Sequence, residues 1–130
     1  MEPDISVVIP AYNEEDRIVA TLKSLLPLTE IREVIVVDDG SVDETANIAE
    51  AFADKVIRLG RNRGKGVALA TGWKEAKGAI VVFLDADLGE TARYATALIE
   101  PVVLNECDMT IAQFPPAAKK GGFGFVKGLA

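Results

Sequence analysis

Residues 79–89 have the sequence AIVVFLDADLG, in which a run of six apolar residues leads directly into two aspartates. A short, uninterrupted apolar run is typical of a strand that is buried on both faces, as in the parallel sheet of an α/β protein. Residues two apart on an extended segment face the same side. We therefore expect the carboxylates of Asp85 and Asp87 to face a common site where this strand ends.

Alternating strand and helix patterns continue on both sides of this strand. Further strands are predicted at residues 5–9, 33–37, 55–59 and 108–112. Helical spacing of apolar residues, with capping residues, predicts helices at about residues 14–26, 43–53, 66–77 and 91–104. This alternation predicts an α/β fold with a mostly parallel sheet and helices on both faces.

The composition limits the class of protein. The chain has 130 residues, enough for one domain, with 49% apolar residues, 26% charged residues and a net charge of −6. A negative net charge argues against nucleic acid as a partner. No segment approaches the roughly 20 apolar residues of a membrane span. The N-terminus is acidic, unlike a secretory signal, and Cys107 is the single cysteine, which excludes an internal disulfide.

Polar residues follow three of the predicted strands, at the sheet edge where α/β proteins bind ligands. They are Asn13, Glu14, Asp38, Asp39, Asp85 and Asp87. Because converging carboxylates repel one another, a bound cation is the simplest compensation. The sequence contains no histidine, so we expect oxygen ligands, which favour Mg²⁺ or Mn²⁺ over Zn²⁺.

A basic loop, residues 60–66, precedes the third predicted helix and contains Arg61, Arg63 and Lys65 among glycines. Such a loop at a helix N-terminus can bind phosphate groups. Its spacing is neither that of a Walker A loop nor G-x-G-x-x-G.

Local roles stay open for all these residues. The basic loop is also typical of an ordinary surface loop, and the segment with Asp85 and Asp87 is also typical of a solvated turn. The acids near residues 14 and 38 are also suited to capping the helices that follow them.

Four segments, taken in order, resemble the successive motifs of family 2 glycosyltransferases. They are PAYNE at 10–14, DDGSVDET at 38–45, NRGKG at 62–66 and DAD at 85–87. The resemblance covers about residues 4–112, and similar members include polyprenol-phosphate mannose or glucose synthases and glucosyl-3-phosphoglycerate synthases. It implies a Rossmann-like GT-A nucleotide-diphospho-sugar transferase fold.

The resemblance also implies an activity and a set of site residues. A sugar would pass from a nucleoside-diphosphate sugar to polyprenyl phosphate, another phosphate-bearing acceptor or a hydroxyl acceptor. The implied substrate-binding residues are Pro10, Tyr12, Glu14, Asp39, Lys65 and Asp85. Among them, Asp39 would contact the base and Asp85 the ribose or the metal. Asp87, with Asp85, would hold Mg²⁺ or Mn²⁺ against the diphosphate.

The C-terminal part departs from this family pattern. Gly89 stands where polyprenol-phosphate synthases usually have Gln, and residues 113–116 stand where they have Ser-Arg. We divide the chain into a nucleotide-sugar-binding subdomain, residues 1–113, and a Gly-rich tail, residues 114–130. The tail is predicted to be poorly ordered in isolation because it combines Pro-Pro with several glycines. An acceptor-side portion beyond Ala130, including the catalytic base, is expected to follow it.

Two other classes of protein remain as alternatives. A non-catalytic nucleotide-binding module or fragment would bind the nucleotide without turnover. A nucleotidyltransferase would carry a basic, Gly-rich loop after the first strand, whereas residues 11–17 are AYNEEDR. For the transferase, we expect a location in the cytoplasm or at the inner face of the membrane. Peripheral membrane association through the tail and the oligomeric state are left open.

Overall fold

A six-stranded sheet forms the middle layer of the protein, in a computed structural model that describes residues 4–95, 109–116 and 121–128. The strands are β1 (Ile5–Ala11), β2 (Ile31–Asp38), β3 (Lys55–Arg58), β4 (Ile80–Leu84), β5 (Met109–Pro116) and β6 (Gly121–Gly128). Their order is β3-β2-β1-β4-β6-β5; β1 to β4 are parallel, and β6 runs antiparallel to both its neighbours. The helices are α1 (Ile18–Leu25), α2 (Thr45–Glu50), α3 (Lys65–Glu75) and a 3-10 helix (Gly89–Ala95).

Side chains of the parallel strands alternate between two apolar layers. On one face, residues such as Val7 and Val36 pack with Ile18 and Leu22 of α1, together with parts of α2 and the 3-10 helix. On the other face, residues such as Val8, Ile35 and Phe83 pack against α3. The predicted α/β class, with a largely parallel sheet and helices on both faces, is confirmed, and β1 to β4 match the strands predicted at 5–9, 33–37, 55–59 and 79–84.

Helix α1 begins four residues later than the apolar stripe predicts. Asn13 has a φ of 53°, a left-handed conformation that interrupts the helix, and the carbonyl of Glu14 then accepts turn hydrogen bonds from Arg17 and Ile18. The stripe itself is confirmed, because Ile18 and Leu25 are buried against the sheet. The helix predicted at 91–104 is also different: residues 89–95 form the 3-10 helix, and residues 96–108 lie outside the described part of the chain.

The structure corrects the prediction of poor order in the Gly-rich tail. Residues 121–128, expected to be poorly ordered, form β6 and pair with β4 on one side and β5 on the other. Pairing along both edges gives this backbone the hydrogen bonds that offset the entropy lost by ordering its glycines. Pro115 and Pro116, expected to break the structure, end β5 at the edge of the sheet, where prolines are tolerated. Strand β5 therefore crosses the expected boundary at residue 113.

Gly72 sets the distance between α3 and the sheet. A Cβ at this position would collide with Val8 and would lie 3.2 Å from Val37 Cγ2. Gly72→Ala should therefore push α3 outward and lower the free energy of unfolding by about 1–3 kcal/mol, as expected for overpacking, measured by urea denaturation.

Gly66 supplies the matched control in the same helix. A Cβ there meets no heavy atom within 4 Å, so Gly66→Ala should raise stability by about 0.5–1 kcal/mol. Equal effects of the two substitutions would contradict close packing at Gly72.

Candidate functional site

A cleft of about 420 Å³ opens at the carboxyl edge of the sheet, between the ends of β1 and β4. It is lined by Pro10, Ala11, Tyr12, Glu14, Asp39, Asn62, Gly64, Lys65, Asp85, Ala86 and Asp87. All seven residues expected to bind substrate or metal are in this set, although they come from four separate stretches of the chain. Ala11, Asn62, Gly64 and Ala86 were not singled out, but each lies inside or beside a motif quoted above.

The cleft exists because β1 separates from β4 earlier than from β2. Pairing with β4 ends at Val8, whereas pairing with β2 continues to Ala11. The carbonyl of Ala11 accepts the N–H of Asp39, so the backbone groups of Pro10, one residue earlier, face the β4 side. Pro10 has no N–H to pair there. The gap falls at the topological switch point, where open α/β sheets bind their ligands.

Asp85 and Asp87 are both half-buried and line the cleft, although residues 86 and 87 form a turn and not the extended segment that the sequence predicts. The intervening Ala86 also lines the cleft, and both it and Leu88 are buried in the core. The Nζ atom of Lys65, at the start of α3, donates to Asp85 Oδ1 at 2.6 Å. The ammonium group thus compensates one of the two carboxylates.

The chemistry of these side chains fits a hard divalent cation. Two carboxylates share one wall of the cleft, and one already pairs with a positive charge. At the same sheet edge, the buried Asp38 Oδ1 accepts no hydrogen bond from the described residues. Within the described ranges, no three acidic or cysteine side chains are arranged so that they could hold a metal ion together. A Mg²⁺ or Mn²⁺ ion commonly completes such a two-carboxylate site with water and phosphate oxygens.

Asp39 holds the basic loop in place. It is buried, and its two carboxylate oxygens accept the backbone N–H groups of Arg63 at 2.7 Å and Gly64 at 3.0 Å. The neighbouring Gly40 has a φ of 79°, and a Cβ on it would collide with the backbone of Arg61. The helix-capping role considered for the acids near residue 38 is not the role of Asp39, whose carboxylate bonds to the basic loop and also lines the cleft.

The loops after β1 and β2 are joined by a set of crossed hydrogen bonds. Asn13 N–H donates to Ser41 Oγ at 2.8 Å, and Asn13 Oδ1 accepts the N–H of Val42 at 2.9 Å. Glu14 N–H donates to Thr45 Oγ1 at 2.8 Å. The two motifs therefore build a single wall of the cleft, and Asn13 does this in place of capping α1.

Two residues at the mouth of the cleft differ in their surroundings. Tyr12 is 46% exposed, so its ring is accessible to a ligand. The Glu14 carboxylate accepts a hydrogen bond from the guanidinium group of Arg17.

The basic residues near the cleft also divide into two groups. Lys65 lines the cleft, whereas Arg58 pairs with Glu50 at 3.1 Å on the surface. Arg61 and Arg63 are exposed and are not among the lining residues. Lys65 is thus the basic side chain that the structure brings to the two aspartates.

The fold and the cleft together define a class: an α/β protein with a cleft lined by charged residues at the switch point of a mostly parallel sheet, where such sheets bind their ligands. The chain belongs to Glycosyl transferase family 2, whose pattern matches residues 6–127. The resemblance drawn from the four motifs is thereby confirmed.

Two curated relatives give the family context. The undecaprenyl-phosphate 4-deoxy-4-formamido-L-arabinose transferase of Pseudomonas fluorescens is 40% identical over 98 residues, 65% of this chain and 28% of that protein. The dolichyl-phosphate beta-glucosyltransferase of Drosophila melanogaster is 39% identical over 100 residues, 65% of this chain and 31% of that protein. The chain thus spans about a third of the length of these relatives.

A solved structure is similar over a larger share of the chain. Glucosyl-3-phosphoglycerate synthase of Mycobacterium tuberculosis, in complex with Mn²⁺, UDP and glucosyl-3-phosphoglycerate, has a TM-score of 0.74 and 33% identity. The match covers 82% of this chain and 42% of that one. The same synthase has also been solved with Mg²⁺ and UDP. The expected GT-A fold is confirmed by this similarity.

Asp43 makes the loop network sensitive to pH. Desolvation opposes ionisation, but hydrogen bonds from the Thr45 side chain, the Thr45 N–H and the Glu15 N–H prevail and lower the pKa of Asp43 below 3.8. A carboxyl group with a lowered folded-state pKa stabilises the fold above its unfolded pKa, and this contribution disappears as the pH falls through the folded value.

Asp43→Ala should therefore lower the free energy of unfolding at pH 7 by about 1 kcal/mol, because the hydrogen bonds that its carboxylate accepts from Thr45 and Glu15 are lost. The difference in the free energy of unfolding between Asp43→Ala and the unmodified chain should shrink as the pH falls below 3.8. Urea denaturation at a series of pH values measures this difference. Asp16→Ala, at an exposed carboxylate nearby, is the control and should change stability by less than about 0.5 kcal/mol. A difference for Asp43→Ala that is constant with pH would refute the role of the ionised carboxylate.

Proposed function

We propose that this chain binds a nucleoside-diphosphate sugar together with Mg²⁺ or Mn²⁺, and that it forms the donor-binding part of a glycosyltransferase. The observation that carries the proposal is the convergence of Asp85, Asp87 and Lys65 with the loop residues Tyr12 and Asp39 in one cleft. Carboxylates that can hold a metal ion thus lie beside an ammonium group and an exposed aromatic ring. A charged diphosphate joined to a flat nucleoside matches that combination.

The nucleoside would occupy the side of the cleft built by the loops after β1 and β2. Tyr12 offers an exposed aromatic ring there, and Glu14 and Asp39 offer carboxylate oxygens that can accept hydrogen bonds from a base or ribose. Each Asp39 oxygen already accepts one backbone N–H, and a carboxylate oxygen can accept a second hydrogen bond. This wall is fixed by backbone hydrogen bonds, so it can discriminate between bases without first rearranging.

The diphosphate would occupy the side nearer β4 and the start of α3. Lys65 and the N-terminal turn of α3 favour negative charge at this position. Asp85 and Asp87 would hold the divalent ion, which supplies Lewis-acid stabilisation of the diphosphate as the sugar leaves it. When the diphosphate is bound, the ammonium group of Lys65 can turn from Asp85 towards the phosphate oxygens. Its positive charge then stays paired with a negative group in both states.

The acceptor we propose carries a phosphate group. The relatives named above are an undecaprenyl-phosphate transferase, a dolichyl-phosphate glucosyltransferase and a glucosyl-3-phosphoglycerate synthase. A phosphate oxygen is already a nucleophile, so its attack on the anomeric carbon needs little help from a protein base, unlike attack by a hydroxyl group.

A lipid-linked acceptor would place the reaction at a membrane surface. This proposal rests on the names of the undecaprenyl-phosphate and dolichyl-phosphate relatives. Within the described ranges, no helix has the length and apolar character needed to cross a bilayer. Residues 121–128 have their backbone inside the sheet, so membrane contact through the tail would have to involve side chains or neighbouring residues.

The identity of the nucleotide can be tested by thermal shift with UDP-, GDP- and ADP-sugars, each with and without Mn²⁺. A ligand that binds only the folded state raises the melting temperature in proportion to its affinity. One of these sugars should raise the melting temperature further when Mn²⁺ is present. No shift with any of them would refute the proposed donor site.

Metal dependence can be tested at Asp87. Because an amide is a weaker metal ligand than a carboxylate, Asp87→Asn should abolish most of the gain in UDP affinity that Mn²⁺ provides, measured by calorimetry. EDTA should have the same effect on the unmodified chain. Glu90→Gln removes an exposed carboxylate three residues away and should leave the gain intact. An undiminished gain in Asp87→Asn would show that Asp87 is not a ligand.

A further inference from the structure

Thr21 is a buried hydroxyl in the apolar stripe of α1. Its side chain is 0% exposed and lies between Ile18 and Leu25, which pack into the core. Its Oγ1 donates to the carbonyl of Ala86 at 2.6 Å and accepts the N–H of Gly89 at 2.8 Å. A single side chain thus bonds the backbone at both ends of the segment that contains Asp87.

The hydrogen of the Thr21 hydroxyl is committed to this segment. A threonine hydroxyl has one hydrogen to donate. The carbonyl of Arg17 lies 3.4 Å from Thr21 Oγ1 within the same helix, whereas the carbonyl of Ala86 is 0.8 Å closer. The shorter contact takes the hydrogen, so the hydroxyl bonds to the strand-end segment in preference to its own helix turn.

Apolar burial alone does not orient the aspartates. Ala86 and Leu88 are buried in the core, which fixes their depth, but hydrophobic packing is not directional. Directional restraint on the backbone comes from the Thr21 hydroxyl, because the hydrogen of the neighbouring Ser24 hydroxyl goes to the Thr21 carbonyl at 2.8 Å and not to the Gly89 carbonyl at 3.3 Å. Because Asp85 and Asp87 flank Ala86, a rotation of this peptide would turn both carboxylates.

The geometry points to Thr21 as the positioning residue that sets the two aspartates at the separation and direction a divalent ion requires. Thr21 does not line the cleft, so it acts through the backbone of Ala86 and Gly89. This inference rests on the proposed function, because it assumes that Asp85 and Asp87 bind the ion. Loss of a residue that orients metal ligands usually weakens metal affinity by about tenfold or more.

Three variants test the inference on the 130-residue chain, with UDP as the probe and calorimetry in Mn²⁺ or in EDTA. Thr21→Val keeps the shape and removes the hydroxyl, and Thr21→Ser keeps the hydroxyl. Thr71→Val is the control, because Thr71 Oγ1 donates at 2.8 Å to the carbonyl of Val67, a hydrogen bond that lies within α3.

We expect the gain in UDP affinity that Mn²⁺ provides to be about tenfold smaller in Thr21→Val than in the unmodified chain. The UDP affinity of Thr21→Val in EDTA should equal that of the unmodified chain. Thr21→Ser and Thr71→Val should keep the gain. The inference is overturned by a full gain in Thr21→Val, by an equal loss with and without Mn²⁺, or by a loss in Thr21→Ser as large as that in Thr21→Val. If the unmodified chain gains nothing from Mn²⁺, the proposed function itself fails.

Gly89→Ala provides a second route, should Thr21→Val fail to unfold cooperatively. Gly89 has a φ of 58°, which disfavours a Cβ, but the nearest atom to such a Cβ is Ala20 Cβ at 4.0 Å. The substitution therefore strains the backbone that Thr21 holds without creating a collision. It should also reduce the Mn²⁺-dependent gain selectively, and an undiminished gain would overturn the inference.

Discussion

The early separation of β1 from β4 is the constraint on which the rest of the site depends. Parallel pairing brings the two strands together up to Val8 and Phe83, and beyond that point the edge of β1 facing β4 is left open. Pro10 cannot donate a backbone hydrogen bond across this gap, so the strands do not close over it. The polar ends of three strands then surround one space, and their charges must be compensated there.

Several motif residues hold the site together instead of facing the ligand. Asn13 and Ser41 bind the loops after β1 and β2 to each other, and Asp39 fixes the basic loop through two backbone N–H groups. These bonds are buried or half-buried, where an unmade hydrogen bond is costly. The structural role of Asp39 is compatible with the binding role proposed for it, because this residue both fixes the basic loop and lines the cleft.

The sequence was informative where the signal was local and periodic. Continuous apolar runs predicted β1, β2 and β4, and the two aspartates that follow β4 both line the cleft, as expected. The prediction of poor order for residues 121–128 was wrong. Glycine content indicates the entropy that a strand loses on ordering, but not the neighbouring strands whose hydrogen bonds offset that loss. Thr21 gave no signal at all: its bonds reach 65 and 68 residues along the chain, and a threonine in a helix has no pattern that reveals them.

The close contact of Gly40 with the backbone of Arg61 has a consequence for how this protein can vary. An exposed loop normally tolerates changes in length, because its backbone is free to bulge into solvent. Arg61, Asn62 and Arg63 are exposed, yet their backbone lies against Gly40 and is bonded to Asp39. An insertion here would displace the N–H groups from the carboxylate. The exposed side chains of Arg61 and Arg63 can therefore vary, but the number of residues in the loop cannot.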